Sequence, residues 1–180
     1  MIQINISKLR NIPGAHLDMD LRCMPECSRY GYDDLRFAED LTFRGQVENC
    51  GNGMYKIDGA YQGKLVLTCS RCAQAFFLPA AGDLHRTYIA QQAKPAPEDS
   101  DDSEEEETIH FSGNDIDITQ EILTEIYLSL PMQPLCRPDC RGLCPVCGQD
   151  LNNGSCACKG EQIDPRWQKL KDFVESKKGV

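Results

Sequence analysis

The sequence predicts an α+β protein with an antiparallel, strongly twisted or barrel-like sheet, two helices and cysteine knuckles. Long stretches between residues 41 and 89 alternate apolar with polar residues, which indicates paired strands buried on one face. Two other stretches, 118–130 and the residues after 164, repeat their apolar residues at helical spacing. The chain also has 11 cysteines among its 180 residues, and most of them lie in one short segment near its end.

The first half of the chain is predicted to be mainly β. It starts with three alternating isoleucines, and residues 15–21 show the same period of two. Longer strands follow on either side of a turn at 51–53, where glycine and asparagine accept a positive φ. Another strand is predicted over 74–78 and 83–89, with an interruption at 79–82. We expect these strands to form a meander in which the glycines mark bends or bulges.

Composition divides the chain into three regions. Residues 1–92 form the mainly β region, residues 93–108 form a predicted disordered acidic linker, and residues 109–180 carry the helices and the cysteine-rich segment. Eight acidic residues lie between 98 and 107, and removing them from the total of 28 leaves 20 against 19 basic residues. Such a segment buries too little apolar surface to offset the entropy of ordering. We interpret it as a solvated loop; the alternative is an anionic arm that engages a basic partner.

The third region is predicted to begin with a short strand at 108–111 and to contain two helices. The first covers about 118–130, follows a capping Asp117, and ends before Pro131. The last helix opens at Asp164-Pro165, with Asp as the cap and Pro at the first helical position. The stripe of the first helix is Ile118, Ile122, Ile126 and Leu130, widened by Leu123 and Tyr127. The stripe predicted to be buried in the last helix is Trp167, Leu170, Phe173 and Val174.

Eight cysteines have the spacing of metal ligands. Two of the pairs are separated by two residues, which lets the chain turn so that both sulfurs point at one ion. We assign one site to Cys144, Cys147, Cys156 and Cys158. We assign the other to Cys69, Cys72, Cys136 and Cys140, so that a shared metal staples the third region to the first. A second partition stays open on spacing alone, with Cys136 and Cys140 joined to Cys144 and Cys147 and the remaining four forming the other site.

Zinc is the predicted metal, with two ions in the chain. Four thiols form the closed tetrahedral set of a structural zinc site. Iron is the alternative, because the sequence CPVCG at 144–148 is similar to a rubredoxin knuckle. Disulfides are not favoured, since we see no secretory signal peptide and intracellular thiols stay reduced. A redox pair would need the βαβ surroundings of a thioredoxin, which neither pair has.

No catalytic residue is predicted. Catalytic zinc keeps one position open and usually uses histidine or carboxylate ligands. The three histidines, His16, His85 and His110, lie outside the cysteine-rich segment and match neither the deaminase nor the metalloprotease motif. We interpret Cys23 and Cys27 as free thiols in a loop, because only two ligands lie there, and Cys50 receives no role. No apolar run is long enough to span a membrane.

The cysteine pairs and their neighbours resemble the YceD family, the large ribosomal RNA subunit accumulation proteins. The resemblance is weak from residue 7 and strong from 66 to 170. It rests on Cys69, Arg71, Cys72, Cys136, Cys140, Gly142, Leu143, Cys144, Pro145, Cys147, Gly148, Leu151, Asn152, Cys156, Cys158, Asp164, Pro165, Arg166 and Leu170. It implies a bacterial cytoplasmic factor needed for normal accumulation of the large-subunit ribosomal RNA. Cys23 and Cys27 have no counterpart in the motif.

The sequence and this resemblance together predict a non-enzymatic zinc-binding factor in ribosomal RNA accumulation and ribosome biogenesis. The alternatives are a zinc-ribbon nucleic-acid-binding regulator and a thiol- or metal-dependent enzyme. The predicted partners are large-subunit ribosomal RNA or ribosomal proteins, with no membrane and no small-molecule substrate.

Charge alone does not establish direct contact with RNA. Residues 133–180 contain eight basic and six acidic side chains, whereas phosphate binding needs a cluster of bases. The candidate contacts for RNA or a partner are Arg137, Arg141, Lys159, Arg166 and Lys169. In the competing interpretation, Arg137 and Arg141 only support the thiolates of the metal sites.

Overall fold

The computed structural model describes residues 1–91, 108–158, 165–167 and 173. Seven strands, β1 to β7 in chain order, run over Gln3–Asn5, His16–Cys23, Leu41–Gly51, Met54–Thr68, Ala75–Ala90, Ile109–Phe111 and Asp115–Asp117. The described residues contain one α-helix, α1, over Thr119–Ser129, and short 3-10 helices over Cys27–Tyr30 and Pro165–Trp167. The described part of the chain is therefore mostly sheet, with α1 and a long irregular segment after it.

Strands β2 to β6 form one sheet, in the order β2-β3-β4-β5-β6. The first four of these pair antiparallel, as the alternating pattern predicts, while β6 joins β5 in parallel through three residues. β1 and β7 form a separate antiparallel pair. The sheet is open, because no pairing joins β2 to β6 in the described part of the chain. The predicted barrel-like closure is therefore not confirmed.

Glycines shape the β3–β4 hairpin at its tip and at its middle. The predicted turn is confirmed: Asn52 and Gly53 have φ of 51° and 77°, the left-handed values that a two-residue hairpin turn requires. Further along, Gly45 and Gly59 face each other across the two strands. A Cβ on Gly59 would lie 2.6 Å from the ring of Phe43 and 2.6 Å from the carbonyl oxygen of Arg44. Only glycine permits this close approach of the backbones.

β5 is one continuous strand, so the interruption predicted at 79–82 is wrong. It pairs with β4 from Ala75 to Ile89 without a register shift. Pro79 lies opposite Lys64 and has no described strand on its other side, since β6 pairs only with residues 88–90. Proline is tolerated at such a free edge because its missing N–H costs no hydrogen bond of the sheet.

The core lies between the sheet, α1 and the β1–β7 pair. α1 confirms the helix predicted over 118–130, and the residues of its stripe that are fully buried are Ile118, Ile122, Leu123 and Ile126. Each contributes roughly 1.5–3 kcal/mol of hydrophobic free energy. Tyr127, predicted to widen the stripe, is instead 48% exposed. The N–H of Ile2 in the neighbouring segment donates to Thr119 Oγ1 at 2.6 Å, which ties β1 to the start of the helix.

The start of α1 depends on Asp117, as the sequence predicts. Its Oδ1 accepts the backbone N–H of Thr119 at 3.0 Å, and its Oδ2 accepts the hydroxyl of Tyr30 at 2.6 Å. Asp117 also ends β7, a strand that the sequence analysis missed. With three residues, β7 is too short for a period of two to be recognised, and its pairing with β1 defines it.

The second predicted helix is not confirmed. Most of it, and all but one residue of the predicted acidic linker, lies outside the described residues. The described side chains of Trp167 and Phe173 are 61% and 58% exposed, so their predicted burial is wrong. Helical spacing shows which residues share a face, and it does not show that another element covers that face. No helix in the described ranges is long and apolar enough to cross a bilayer.

Candidate metal centres

One set of four cysteines comes together at the end of the β4–β5 hairpin. We call it the inner cluster, and it consists of Cys69, Cys72, Cys136 and Cys140. Its first two members lie in the hairpin turn, which closes when the N–H of Cys69 donates to the carbonyl of Gln74 at 2.9 Å. The other two lie on the irregular segment after α1, held against the turn by a Ser70 N–H to Pro134 carbonyl bond of 2.9 Å. Three of the four cysteines are buried.

Distances in the inner cluster fit one metal ion. All four sulfurs lie within 4.8 Å of one another. The Cys69 and Cys140 sulfurs are 3.8 Å apart, and those of Cys72 and Cys136 are 3.7 Å apart. Zinc–sulfur bonds of about 2.3 Å in tetrahedral geometry place the sulfurs about 3.8 Å from one another. A disulfide would need about 2.0 Å, so the spacing is that of four ligands around one ion.

A second set forms entirely within the last described stretch of loop. We call it the outer cluster, and it consists of Cys144, Cys147, Cys156 and Cys158. The Cys144–Cys147 turn is closed by a hydrogen bond of 2.8 Å from the N–H of Gly148 to the carbonyl of Cys144. Gly148 has φ of 74°, a left-handed conformation that glycine adopts without the steric cost of a Cβ. Only Cys144 is buried, and Cys147 is exposed.

Each cluster contains one cysteine whose pKa is lowered by backbone hydrogen bonds. The backbone N–H of Cys136 donates to the sulfur of Cys69 and lowers the pKa of Cys69 to about 6. In the outer cluster, the N–H groups of Cys147 and Val146 lower the pKa of Cys144 to about 6. Burial raises the pKa of Cys136 to about 12. A divalent metal binds thiolates, so it would displace the remaining protons from each set.

The chain between the two clusters is held in close contact with both. Gly142 has φ of 74°, and a Cβ there would lie 2.9 Å from the carbonyl oxygen of Arg71. That carbonyl accepts the N–H of Leu143 at 3.0 Å, while the carbonyl of Gly142 accepts the N–H of Leu151 at 2.9 Å. Arg71 itself donates to the carbonyl of Cys140 at 2.9 Å. The segment that separates the clusters is therefore fixed by backbone bonds to the loop on each side.

The donors in both clusters suit a structural metal. Within the described residues, neither set includes a histidine or a carboxylate. Four thiolates complete a tetrahedral shell, which fits zinc and also the iron alternative. The structure assembles the sulfurs in the sets assigned first from spacing, and not in the partition that joins Cys136 and Cys140 to Cys144 and Cys147.

The candidate contact residues are partly brought together. Arg137 lies beside the clusters, where its guanidinium donates to Asn152 Oδ1 at 2.8 Å and pairs with Asp139 at 3.5 Å. The side chain of Arg141 is exposed at the edge of an open pocket of about 230 Å³ that also includes Cys156. Arg166 is exposed, and Lys159 and Lys169 lie outside the described residues.

The remaining thiols and the histidines lie apart from both clusters. Cys50 is exposed, Cys23 is half-buried, and burial raises the pKa of Cys27. His85 forms a 2.7 Å contact between its Nδ1 and Asp58 Oδ1 on the sheet. Neither His16 nor His110 belongs to either group of four sulfurs.

Sequence reasoning missed the polar residues that connect the clusters. Asn152 entered the sequence analysis only as part of the family resemblance, yet its side-chain amide contacts Cys140 Sγ at 3.5 Å. Asp150 Oδ2 accepts a bond of 2.9 Å from Gln74 Nε2 in the β4–β5 turn. Two sequence signals pointed to these residues: Asp150 and Asn152 lie between two ligand pairs, and Asn152 is among the residues that carry the family resemblance. Neither signal indicates a contact with Cys140.

Comparison with known proteins identifies a family. The family model described as "Large ribosomal RNA subunit accumulation protein YceD" matches residues 57–174. An uncharacterized protein of Mycobacterium tuberculosis is 32% identical over 176 residues, covering 95% of this chain and 80% of its own length. A large ribosomal RNA subunit accumulation protein YCED homolog 1, chloroplastic, of Zea mays is 27% identical over 139 residues, 62% of this chain and 46% of its own. No solved structure gives a significant match.

Proposed function

The chain belongs to the YceD family, and from this membership we propose that it is a non-enzymatic factor in large-subunit ribosomal RNA accumulation. We further propose that its two cysteine clusters each hold one zinc ion. The plant relatives carry the accumulation role in their names. The observation that carries the metal proposal is the pair of sulfur distances of 3.8 and 3.7 Å in the inner cluster, which match a tetrathiolate zinc site.

The donor sets support a structural role for the metal. Catalysis by zinc needs an open coordination position for water or substrate, and four thiolates leave none. The zinc, when bound, would supply a cross-link: in the inner cluster between the β4–β5 turn and the segment after α1, and in the outer cluster within a single loop. The chain's own residues already hold these segments in register through backbone bonds.

The surface that we propose for direct contact with ribosomal RNA is the loop around Arg141. That guanidinium is exposed beside a pocket, whereas the guanidinium of Arg137 already donates to Asn152. Replacing Arg141 with Glu should weaken RNA capture and reduce its salt dependence by about one unit of slope for each phosphate that the variant no longer binds. Arg36→Glu, an equal change of charge at an exposed site outside the cysteine-rich segment, is the matched control. Equal capture by both variants would exclude this surface.

The cellular role is tested by complementation. Cells that lack the gene should show a fall in large-subunit relative to small-subunit ribosomal RNA, and the intact chain should restore the ratio. The double variant Cys69→Ser/Cys140→Ser should fail, whereas Cys50→Ser, at an exposed thiol outside both clusters, should succeed. Failure of the intact chain to change the ratio would contradict the accumulation role. Full rescue by the double variant would show that the inner cluster is not needed for it.

A further inference from the structure

Asn152 lies in the loop between the two cysteine pairs of the outer cluster, yet its side chain reaches the inner cluster. Its Nδ2 donates to Cys140 Sγ at 3.5 Å and to Asp150 Oδ1 at 2.7 Å. Its Oδ1 accepts the backbone N–H of Arg141 at 2.9 Å and the guanidinium of Arg137 at 2.8 Å. A side-chain amide has two donor and two acceptor positions, so every one of them is used.

This pattern fixes the orientation of the amide. Rotating it by half a turn would place the NH₂ group against two donors and the carbonyl oxygen against a carboxylate and a sulfur. The backbone N–H of Asn152 also donates to Asp150 Oδ1 at 2.9 Å, so the residue is held by main chain and side chain together. The donor aimed at Cys140 is therefore set by the fold of the outer loop.

The same loop touches the inner cluster at a second point. Gln74, which follows the Cys69–Cys72 turn, donates to Asp150 Oδ2 at 2.9 Å. Asp150 thus connects to the β4–β5 turn through one oxygen and to Asn152 through the other. Both connections depend on the position of residues 150–152, which lie in the loop between Cys147 and Cys156.

We propose that Asn152 is a positioning residue that couples the two metal sites, so that zinc in the outer cluster increases the zinc affinity of the inner cluster. The proposal rests on the proposed function in that both clusters bind zinc. Backbone bonds already place the Asn152 N–H against Cys140. An ion in the outer cluster would join the two ends of this loop and restrict its motion further, so that the contact is kept for more of the time. A hydrogen bond to a ligating sulfur stabilises its thiolate form and orients it, and loss of such a partner typically weakens metal binding 10- to 100-fold. Because coupling is reciprocal, zinc in the inner cluster favours the outer site equally.

The test uses full-length protein loaded with zinc and a competing chelator. Alkylation of thiols released from zinc, read by peptide mass spectrometry, reports each cluster separately. Asn152→Leu, which has the same branched arrangement of heavy atoms and cannot form hydrogen bonds through its side chain, should weaken zinc binding in the inner cluster at least about 10-fold. Asn152→Asp keeps the acceptor atoms for Arg137 and Arg141 and loses the donor, so it should weaken the inner site as well. Asn153→Leu is the matched control, because Asn153 is exposed and, among the described residues, its side chain bonds to Asp150, at 3.1 Å, and not to a cysteine.

Coupling is distinguished from local damage by a double-variant cycle. Cys158→Ser disables the outer cluster and should itself weaken the inner site, while Asn152→Leu added to Cys158→Ser should weaken it little further. In cobalt-loaded protein, Asn152→Leu should also move the sulfur-to-cobalt charge-transfer band of the inner site to lower energy, since the N–H···S bond is removed. Unchanged inner affinity in Asn152→Leu, or additive losses in the double variant, would overturn the proposal. Absence of zinc from the unaltered protein would instead refute the proposed metal function.

Discussion

The two cysteine clusters have the same donors and different positions in the fold. Sulfurs of the inner cluster that lie within 3.8 Å of each other are 71 and 64 residues apart in sequence. The outer cluster is confined to residues 144–158. Three cysteines of the inner cluster are buried, compared with one of the outer cluster. The inner cluster connects the sheet to the segment after α1, whereas the outer cluster shapes one surface loop.

This difference indicates that the same type of four-cysteine site has two different structural roles. A cross-link that closes a long loop restricts the unfolded chain more than one that closes a short loop. The inner cluster also lies among Phe76 and Leu135, so its loss exposes apolar surface. The outer cluster lies at the surface and determines the conformation of the loop that contains it. We therefore expect the stability of the whole protein to depend on the inner cluster and the local order of one loop to depend on the outer one.

The largest effect is expected for Cys69→Ser. The change removes a ligand of the buried site, so the zinc that binds only the folded state no longer stabilises it. The midpoint of thermal unfolding should fall by roughly 10 °C or more. This is the size expected when a protein loses a metal whose concentration is far above its dissociation constant. Scanning calorimetry of the full-length chain checks it, with Cys50→Ser as the control. An unchanged midpoint would remove the distinction between the clusters.

A smaller effect on global stability is expected for Cys147→Ser. This cysteine is exposed, and its cluster closes only the loop up to Cys158. The thermal midpoint should fall by less than half of the change seen with Cys69→Ser. Amide hydrogen exchange should rise most within residues 141–158 and much less in β3 and β4, where only the weaker zinc binding of the inner cluster is felt. An equal rise throughout the sheet would show that the outer cluster is also part of the global fold.

The sequence supports the antiparallel sheet, the hairpin turn and α1 because each is determined by local patterns. Alternation, the Asn52-Gly53 pair and the Ile118–Ile126 stripe act over a few residues. The sequence does not determine whether the sheet closes, since closure depends on pairing between distant edges. The predicted interruption of β5 at Pro79 was also wrong. Pro79 lies on an open edge of the sheet, where its missing N–H costs no hydrogen bond.

The candidate site shows the same limit. Ligand types and the two-residue spacing of Cys144 and Cys147 are local, so they could be read from the chain. The contact of Asn152 with Cys140 could not, because it depends on the loop folding back over the inner cluster. The exposure of Trp167 was also not foreseen, since an apolar spacing carries no information on what covers it.

The smallest effect is expected at a half-buried carboxyl group on α1 that belongs to neither cluster. Burial raises the pKa of Glu121 on α1, and its Oε2 has no hydrogen-bond partner among the described residues. The folded state then binds the proton more tightly than the unfolded state, so stability falls as pH rises above the ordinary value of 4.5.

Glu121→Gln is neutral at every pH and should remove this loss. The thermal midpoint of the variant should exceed that of the unaltered protein at about pH 8, with little difference at about pH 4. Zinc content should stay the same, which separates core stability from metal binding. An equal change at both pH values would contradict the assignment of the effect to the carboxyl group.

The central claim is that the eight cysteines form two separate sites in the stated partition, and zinc counting by native mass spectrometry tests it most directly. The unaltered protein should carry two ions, one for each group of four sulfurs. Cys69→Ser/Cys140→Ser removes two ligands from one site and should retain one ion. Cys140→Ser/Cys147→Ser removes one ligand from each site and should retain none. The reverse result, with no ion in the first variant and one in the second, would establish the other partition, and an unaltered protein without metal would contradict the existence of either site.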